Sequence, residues 1–178
     1  ARAGFKRWWT QFVPPPVERA TFVLFASLLL FAICLGWRAL PQVVWQAEGG
    51  AAIALWALFA IGWLVVLTAT FMINHFDLFG LRQVTLYFQR RPYTALSFVK
   101  RGLYKVVRHP IMLGFVIAFW ATPVMSVGHL IFAIATTGYI LIGLQFEEKD
   151  LVTHHGAEYI EYKKRVPMIV PMWGKRKG

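Results

Sequence analysis

Residues 20–37 and 51–73 are apolar on every helical face and carry no Asp, Glu, Lys or Arg. A helix that is hydrophobic all round belongs in a large core or a bilayer, and about 20 such residues cross a hydrocarbon layer of about 30 Å. Residues 111–146 form a third uncharged stretch, long enough for two helices and interrupted by Thr122-Pro123 and by Ser126, Gly128 and His129. Pro123 removes a backbone donor and Gly128 permits a turn. The pattern therefore predicts a helical hairpin, with helices near 111–126 and 129–146. Each half is slightly short for a full crossing, so the hairpin is either a pair of tight spans or a kinked, re-entrant pair enclosed by protein. The predicted fold class is all-α: a polytopic membrane helical bundle of about four transmembrane helices in one membrane domain over residues 1–178. A polar loop, 74–109, and an amphipathic tail, 147–178, complete it.

Composition agrees with a membrane setting. Of 178 residues, 58% are hydrophobic and only 15% charged, against about 25% charged in a soluble domain. The net charge is +11, an excess that suits anionic lipid or nucleic acid. Its distribution decides between them. Four basic residues precede residue 20, one lies in 38–50, seven in 74–109 and seven in 147–178. Four crossings put all but Arg38 on one side, which the positive-inside rule assigns to the cytoplasm. Membrane lipid headgroups are thus the expected partners, and no nucleic-acid-binding patch on a soluble module is visible. Trp8, Trp9, Trp37, Trp45 and Trp173 sit near segment ends, as interfacial anchors do. The single cysteine, Cys34, reads as a small core residue. The chain opens on Ala1 without a signal-peptide pattern and reads as the middle of a longer protein.

The chemically capable side chains gather at the predicted cytoplasmic boundaries. Asn74, His75 and Asp77 lie at the exit of the second apolar stretch. Tyr104, Arg108, His109 and Pro110 lie at the start of the hairpin, and Glu147 and Glu148 at its end. A tail cluster holds Tyr159, Tyr162 and Pro167. A hairpin over 111–146 brings His109 beside Glu147 or Glu148, and Pro110 suits the first helical turn, where its missing N–H is not needed. Such a group could hold a polar, zwitterionic cofactor at the membrane edge, or could merely meet headgroups and begin a solvated helix.

A metal site is not expected. His154 and His155 are adjacent and diverge on a helix, His75 and Asp77 are two apart, and no paired-cysteine or H-E-x-x-H spacing occurs. Haem or quinone ligation would want histidines inside the bundle, whereas only His129 lies away from the cytoplasmic edge.

The order R-H-P, apolar hairpin, E-E-x-x-L, G-x-x-Y-x-x-Y and V-P-x-x-x-P over residues 104–171 resembles the isoprenylcysteine carboxyl methyltransferase-like membrane family. With residues 74–83 and 109–115 included, the likeness is greatest to its bacterial methanethiol S-methyltransferases. The resemblance implies S-adenosyl-L-methionine as cofactor, a small thiol substrate and an integral protein of the bacterial inner membrane with both ends of this chain cytoplasmic. It implies cofactor-binding roles for Tyr104, Arg108, His109, Glu147, Glu148, Tyr159, Tyr162 and Pro167, and a substrate side at Asn74, His75 and Asp77. His75 and His109 are then the candidate catalytic bases, since a thiolate is the nucleophile and imidazole takes protons near neutral pH. Two other readings share the fold: a non-catalytic membrane subunit of a larger complex, and a lipid methyltransferase.

Overall fold

The computed structural model describes residues 7–94 and 100–171. Trp173 and the basic residues before Arg7 and after Pro171 lie outside them. The described residues fall into two compact units, one drawn from 1–38 and 73–98, the other from 39–72 and 99–178.

In the first unit, α1 (Pro15–Gly36) starts on prolines, which the first helical turn accepts without losing a hydrogen bond. Its residues bury no side chain within the protein, as expected of a helix solvated by lipid tails. Cys34 is accordingly exposed, not a core residue. The short α2 (His75–Leu78) is capped by Asn74, whose Oδ1 accepts the Asp77 N–H at 3.0 Å. Gly80 then takes φ +79° and lies so close to α1 that a Cβ there would stand 2.6 Å from the Ala20 nitrogen. The chain continues into α3 (Leu81–Phe88).

The second unit holds α4 (Gly49–Met72), a 3-10 turn (Gly102–Lys105), α5 (Pro110–Trp120), α6 (Val127–His155) and α7 (Ala157–Arg165). Helices α4 and α5 cross through small residues. A Cβ on Gly62 would lie 2.7 Å from the Ala118 nitrogen, and one on Gly114 2.7 Å from the Gly62 oxygen. Close backbone approach of this kind is how helices pack in lipid, where apolar side chains gain nothing by leaving the solvent. Among the described residues three helices, α1, α4 and α6, are long and apolar enough to cross a membrane, and α5 is a shorter apolar helix. The chain is an integral membrane protein.

The hairpin departs from the two equal helices expected. α5 ends at Trp120, and residues 124–126, expected to be helical, form a short strand, β2 (Val124–Ser126), antiparallel to β1 (Val43–Gln46). Pro123 disfavours the helical conformation in the residue before it, and β-branched Val124 follows. The freed backbone groups find partners: Ala47 N–H donates to the Pro123 carbonyl, and Val127 and Gly128 N–H donate to Gln42 and Leu40 carbonyls. Trp45 contributes its indole N–H to the Thr122 carbonyl at 3.2 Å, so it is part of this junction and more than an interfacial anchor. His129 Nε2 lies 2.8 Å from the Phe119 carbonyl, closing the end of α5.

α6 begins at Val127, capped by Ser126, and runs to His155 instead of stopping near 146. Nothing between Phe146 and His155 breaks a helix, and Gly156 with φ +54° ends it. Ile140 and Leu144 of α6 pack with Ile169, Met112, Leu113, Phe115, Val116 and Met168, so the chain after α7 completes the core between the arms.

Candidate active site

Pro110 occupies the first turn of α5, which leaves His109 as the residue before the helix, with φ −123°. Its N–H and that of Arg108 cannot enter the helical ladder. They donate instead to the Met168 and Pro167 carbonyls, at 3.1 and 2.9 Å. The R-H-P and V-P segments are thereby laced together, and Pro167 takes part through its carbonyl.

Glu148 is the centre of the arrangement. It is 4% exposed, and His109 7%. Its Oε1 lies 2.9 Å from His109 Nε2 and accepts the Tyr159 hydroxyl at 2.7 Å. Arg108 Nε approaches the same oxygen to 2.9 Å, and Lys163 Nζ reaches Oε2 at 3.1 Å. Arg108 Nε and Glu148 Oε2 are both buried and lack an aligned hydrogen bond, so these two contacts act through charge. A buried carboxylate requires such compensation, because removal from water penalises the ion heavily.

The other ring nitrogen of His109, Nδ1, lies 3.7 Å from Oε2 of Glu147. The imidazole is therefore set between two carboxylates. The Glu147 side chain is about half exposed, which makes it the more accessible of the two.

Arg108 also donates through Nη1 to the Lys163 and Val166 carbonyls, at 2.9 and 3.1 Å. These groups end α7, where the last carbonyls lack helical partners and a cation is favourable. Tyr162 donates to the Tyr104 carbonyl, and the Tyr104 hydroxyl lies 3.5 Å from the Ala69 carbonyl. Burial pushes Tyr104 up to about 12, with the Glu147 charge adding to it, and burial likewise raises Tyr162 to about 12. Tyr159 is raised well above the usual tyrosine range, first by burial and then by its bond to the Glu148 carboxylate. All three hydroxyls are neutral donors at physiological pH.

The structure thus brings Tyr104, Arg108, His109, Glu147, Glu148, Tyr159, Tyr162 and Pro167 into one unit. Asn74, His75 and Asp77 belong to the other. There Asp77 takes Arg82 Nη1 at 3.0 Å on Oδ1 and the Tyr93 hydroxyl at 3.2 Å on Oδ2, while the His75 ring packs against Phe76. Lys163 is the member that sequence reasoning overlooked. It enters there only as one of the seven basic residues of 147–178, although it follows Tyr159 by four positions and so shares that residue's face of α7.

A methanethiol S-methyltransferase of Mycobacterium tuberculosis is 58% identical over 177 residues, 99% of this chain and 72% of its own length. The chain belongs to the methanethiol S-methyltransferase family. A methanethiol S-methyltransferase of Crocosphaera subtropica is 49% identical over 177 residues, 99% of this chain and 69% of that protein. Methanethiol S-methyltransferase 2 of Bradyrhizobium diazoefficiens is 52% identical over 171 residues, 96% of this chain and 66% of that protein. A family model described as a protein of unknown function (DUF1295) matches residues 5–166. No solved structure gives a significant match. Arg108, His109, Glu148 and Tyr159 all lie within residues 5–166, the span that the family model matches.

Proposed function

We propose that this chain is an integral membrane methyltransferase that uses S-adenosyl-L-methionine to convert methanethiol, or a similarly small thiol, to its methyl thioether. Identity of 58% over nearly the whole chain to a methanethiol S-methyltransferase is the observation that carries the reading. The donor set fits a cationic, zwitterionic cofactor: a half-exposed carboxylate on Glu147 beside the Nδ1 edge of the His109 imidazole.

When bound, the cofactor supplies an electrophilic methyl on a cationic sulfur, and its joining to an anionic thiolate extinguishes both charges, a change that a water-poor pocket favours. Glu147 and the Nδ1 edge of His109 would hold the cofactor. Glu148, Arg108, Tyr159 and Tyr162 hold that edge in place. Tyr104, from the 3-10 turn, and Pro167, whose carbonyl accepts the Arg108 N–H, would border the cofactor's place.

The thiol proton goes to an imidazole, because the thiolate is the nucleophile. His109 is the first candidate base and His75 the second, with Asn74 and Asp77 shaping the acceptor side. We place the site at the cytoplasmic face of the bacterial inner membrane, following the bias of basic residues to one side. Membranes containing the protein, given labelled cofactor and methanethiol, are expected to release labelled dimethyl sulfide. Absence of the thioether, with the protein folded and present, would overturn the proposal.

A further inference from the structure

The run Lys163-Lys164-Arg165 divides in the fold. Lys164 and Arg165 turn outward, with side chains 70% and 74% exposed, and pair with Glu161 one turn back on the same helix. Lys163 turns inward to the buried carboxylate of Glu148.

Lys163 is tied at both ends. Its carbonyl accepts Arg108 Nη1 at 2.9 Å, Arg108 Nε faces Glu148 Oε1 at 2.9 Å, and Glu148 Oε2 faces Lys163 Nζ at 3.1 Å. The three residues close a ring across three elements: the loop before α5, α6 and α7. Glu148 has no other cation on its Oε2 side, among the described residues, while Oε1 meets Arg108, His109 and Tyr159.

We propose that Lys163 is a positioning residue for methyl transfer, acting through Glu148 to fix the orientation and tautomer of the His109 imidazole. The inference rests on the function proposed above. The reason is electrostatic and geometric. With no charge held on Oε2, the carboxylate can turn about its Cγ–Cδ bond and let either oxygen take the place before Arg108, Tyr159 and His109. With Lys163 holding Oε2, Oε1 stays directed at Nε2, which keeps a proton on Nε2 and leaves Nδ1 toward Glu147. Groups beside a catalytic imidazole that set its tautomer act in this way. Lys163 itself is half exposed and touches neither ring nitrogen.

The test compares wild type, Lys163→Met and Lys163→Arg in the full chain, solubilised in detergent micelles. One readout is steady-state dimethyl sulfide formation, and the other is the pair of His109 ring-nitrogen resonances in 15N-histidine-labelled protein, assigned with His109→Gln. Lys163→Met is expected to lower kcat about tenfold, with KM for the thiol within about twofold, and to shift the His109 resonances toward a mixture of tautomers. Lys163→Arg is expected to restore both. Unchanged resonances in Lys163→Met overturn the inference, and so do equal losses in both variants. An inactive wild type counts against the proposed function alone, since the nitrogen resonances still decide what Lys163 does to His109.

Discussion

His109 Nε2 and Glu148 Oε1 are 2.9 Å apart across 39 positions of sequence, both nearly sealed from solvent. The contact stands where α5 begins, opposite the part of α6 that carries Glu148. It joins the two ends of the hairpin and, through Tyr159 and Arg108, the helix that follows.

Replacing Glu148 by Ala leaves Arg108 buried beside no carboxylate. The expected cost is about 3 kcal/mol of stability, read as a lower melting temperature in micelles. Glu148→Gln keeps the shape and is expected to melt closer to wild type while methyl transfer falls about a hundredfold. Activity retained by Glu148→Gln would separate the carboxylate charge from the chemistry.

His109→Ala, and the Glu147→Ala, Glu148→Ala double variant, are expected to abolish S-adenosyl-L-methionine binding while membrane insertion persists. Calorimetry on the purified variants measures this. Normal binding in both would remove these residues from the cofactor site.

Gly62→Ala and Gly114→Ala each place a methyl within 2.7 Å of backbone or side-chain atoms of the facing helix. Overpacking of this kind costs about 1–3 kcal/mol. Gly138→Ala and Gly143→Ala meet nothing within 4 Å and are expected to be neutral or to stabilise by up to about 1 kcal/mol through helix propensity. Thermal unfolding of the four variants compares the two faces directly.

Arg90 has φ +55°, and the N–H groups of Arg90 and Arg91 donate to the Tyr87 and Leu86 carbonyls. This is the helix-ending turn in which glycine is usual. Arg90→Gly relieves the strain of a left-handed side-chain-bearing residue and is expected to stabilise the protein by about 1 kcal/mol, seen in the same melting assay. A loss would show that the Arg90 side chain has a compensating contact.

Tyr104 and Tyr162 carry hydroxyls raised from 10.0 to about 12. A raised value means that the folded state holds the proton more tightly than the unfolded one. Their contribution to stability is therefore complete below pH 10 and disappears as pH climbs through 12. Alkaline titration followed by phenolate absorbance is expected to show late ionisation coincident with unfolding, and Tyr162→Phe to reduce the late fraction. Early, independent ionisation of every tyrosine would contradict the buried placement.

Much of this was legible without coordinates. Uncharged runs announced the membrane helices, Pro110 announced the start of α5, and the spacing of His109 from Glu147 and Glu148 followed from a folded-back pair. What escaped was whatever depends on a partner distant in sequence. Residues 121–126 read as helix because their apolar character is the same in either conformation, and it is β1, some 80 positions earlier, that receives them as strand. Cys34 read as core because its surroundings are apolar, although in a lipid-facing helix apolar surroundings and exposure coincide.

Lys163 shows the same division at the level of a single charge. The sequence alone determined that this is an apolar membrane protein with its basic residues gathered between and after the apolar stretches and with imidazole and carboxylates at the ends of a hairpin, because hydropathy and the distribution of charge are local properties of the chain. Only the tertiary structure decided which lysine of a basic run turns inward, which of two adjacent glutamates is buried, and where helix gives way to strand. Those outcomes depend on which groups, far apart in the chain, must compensate one another once water is removed.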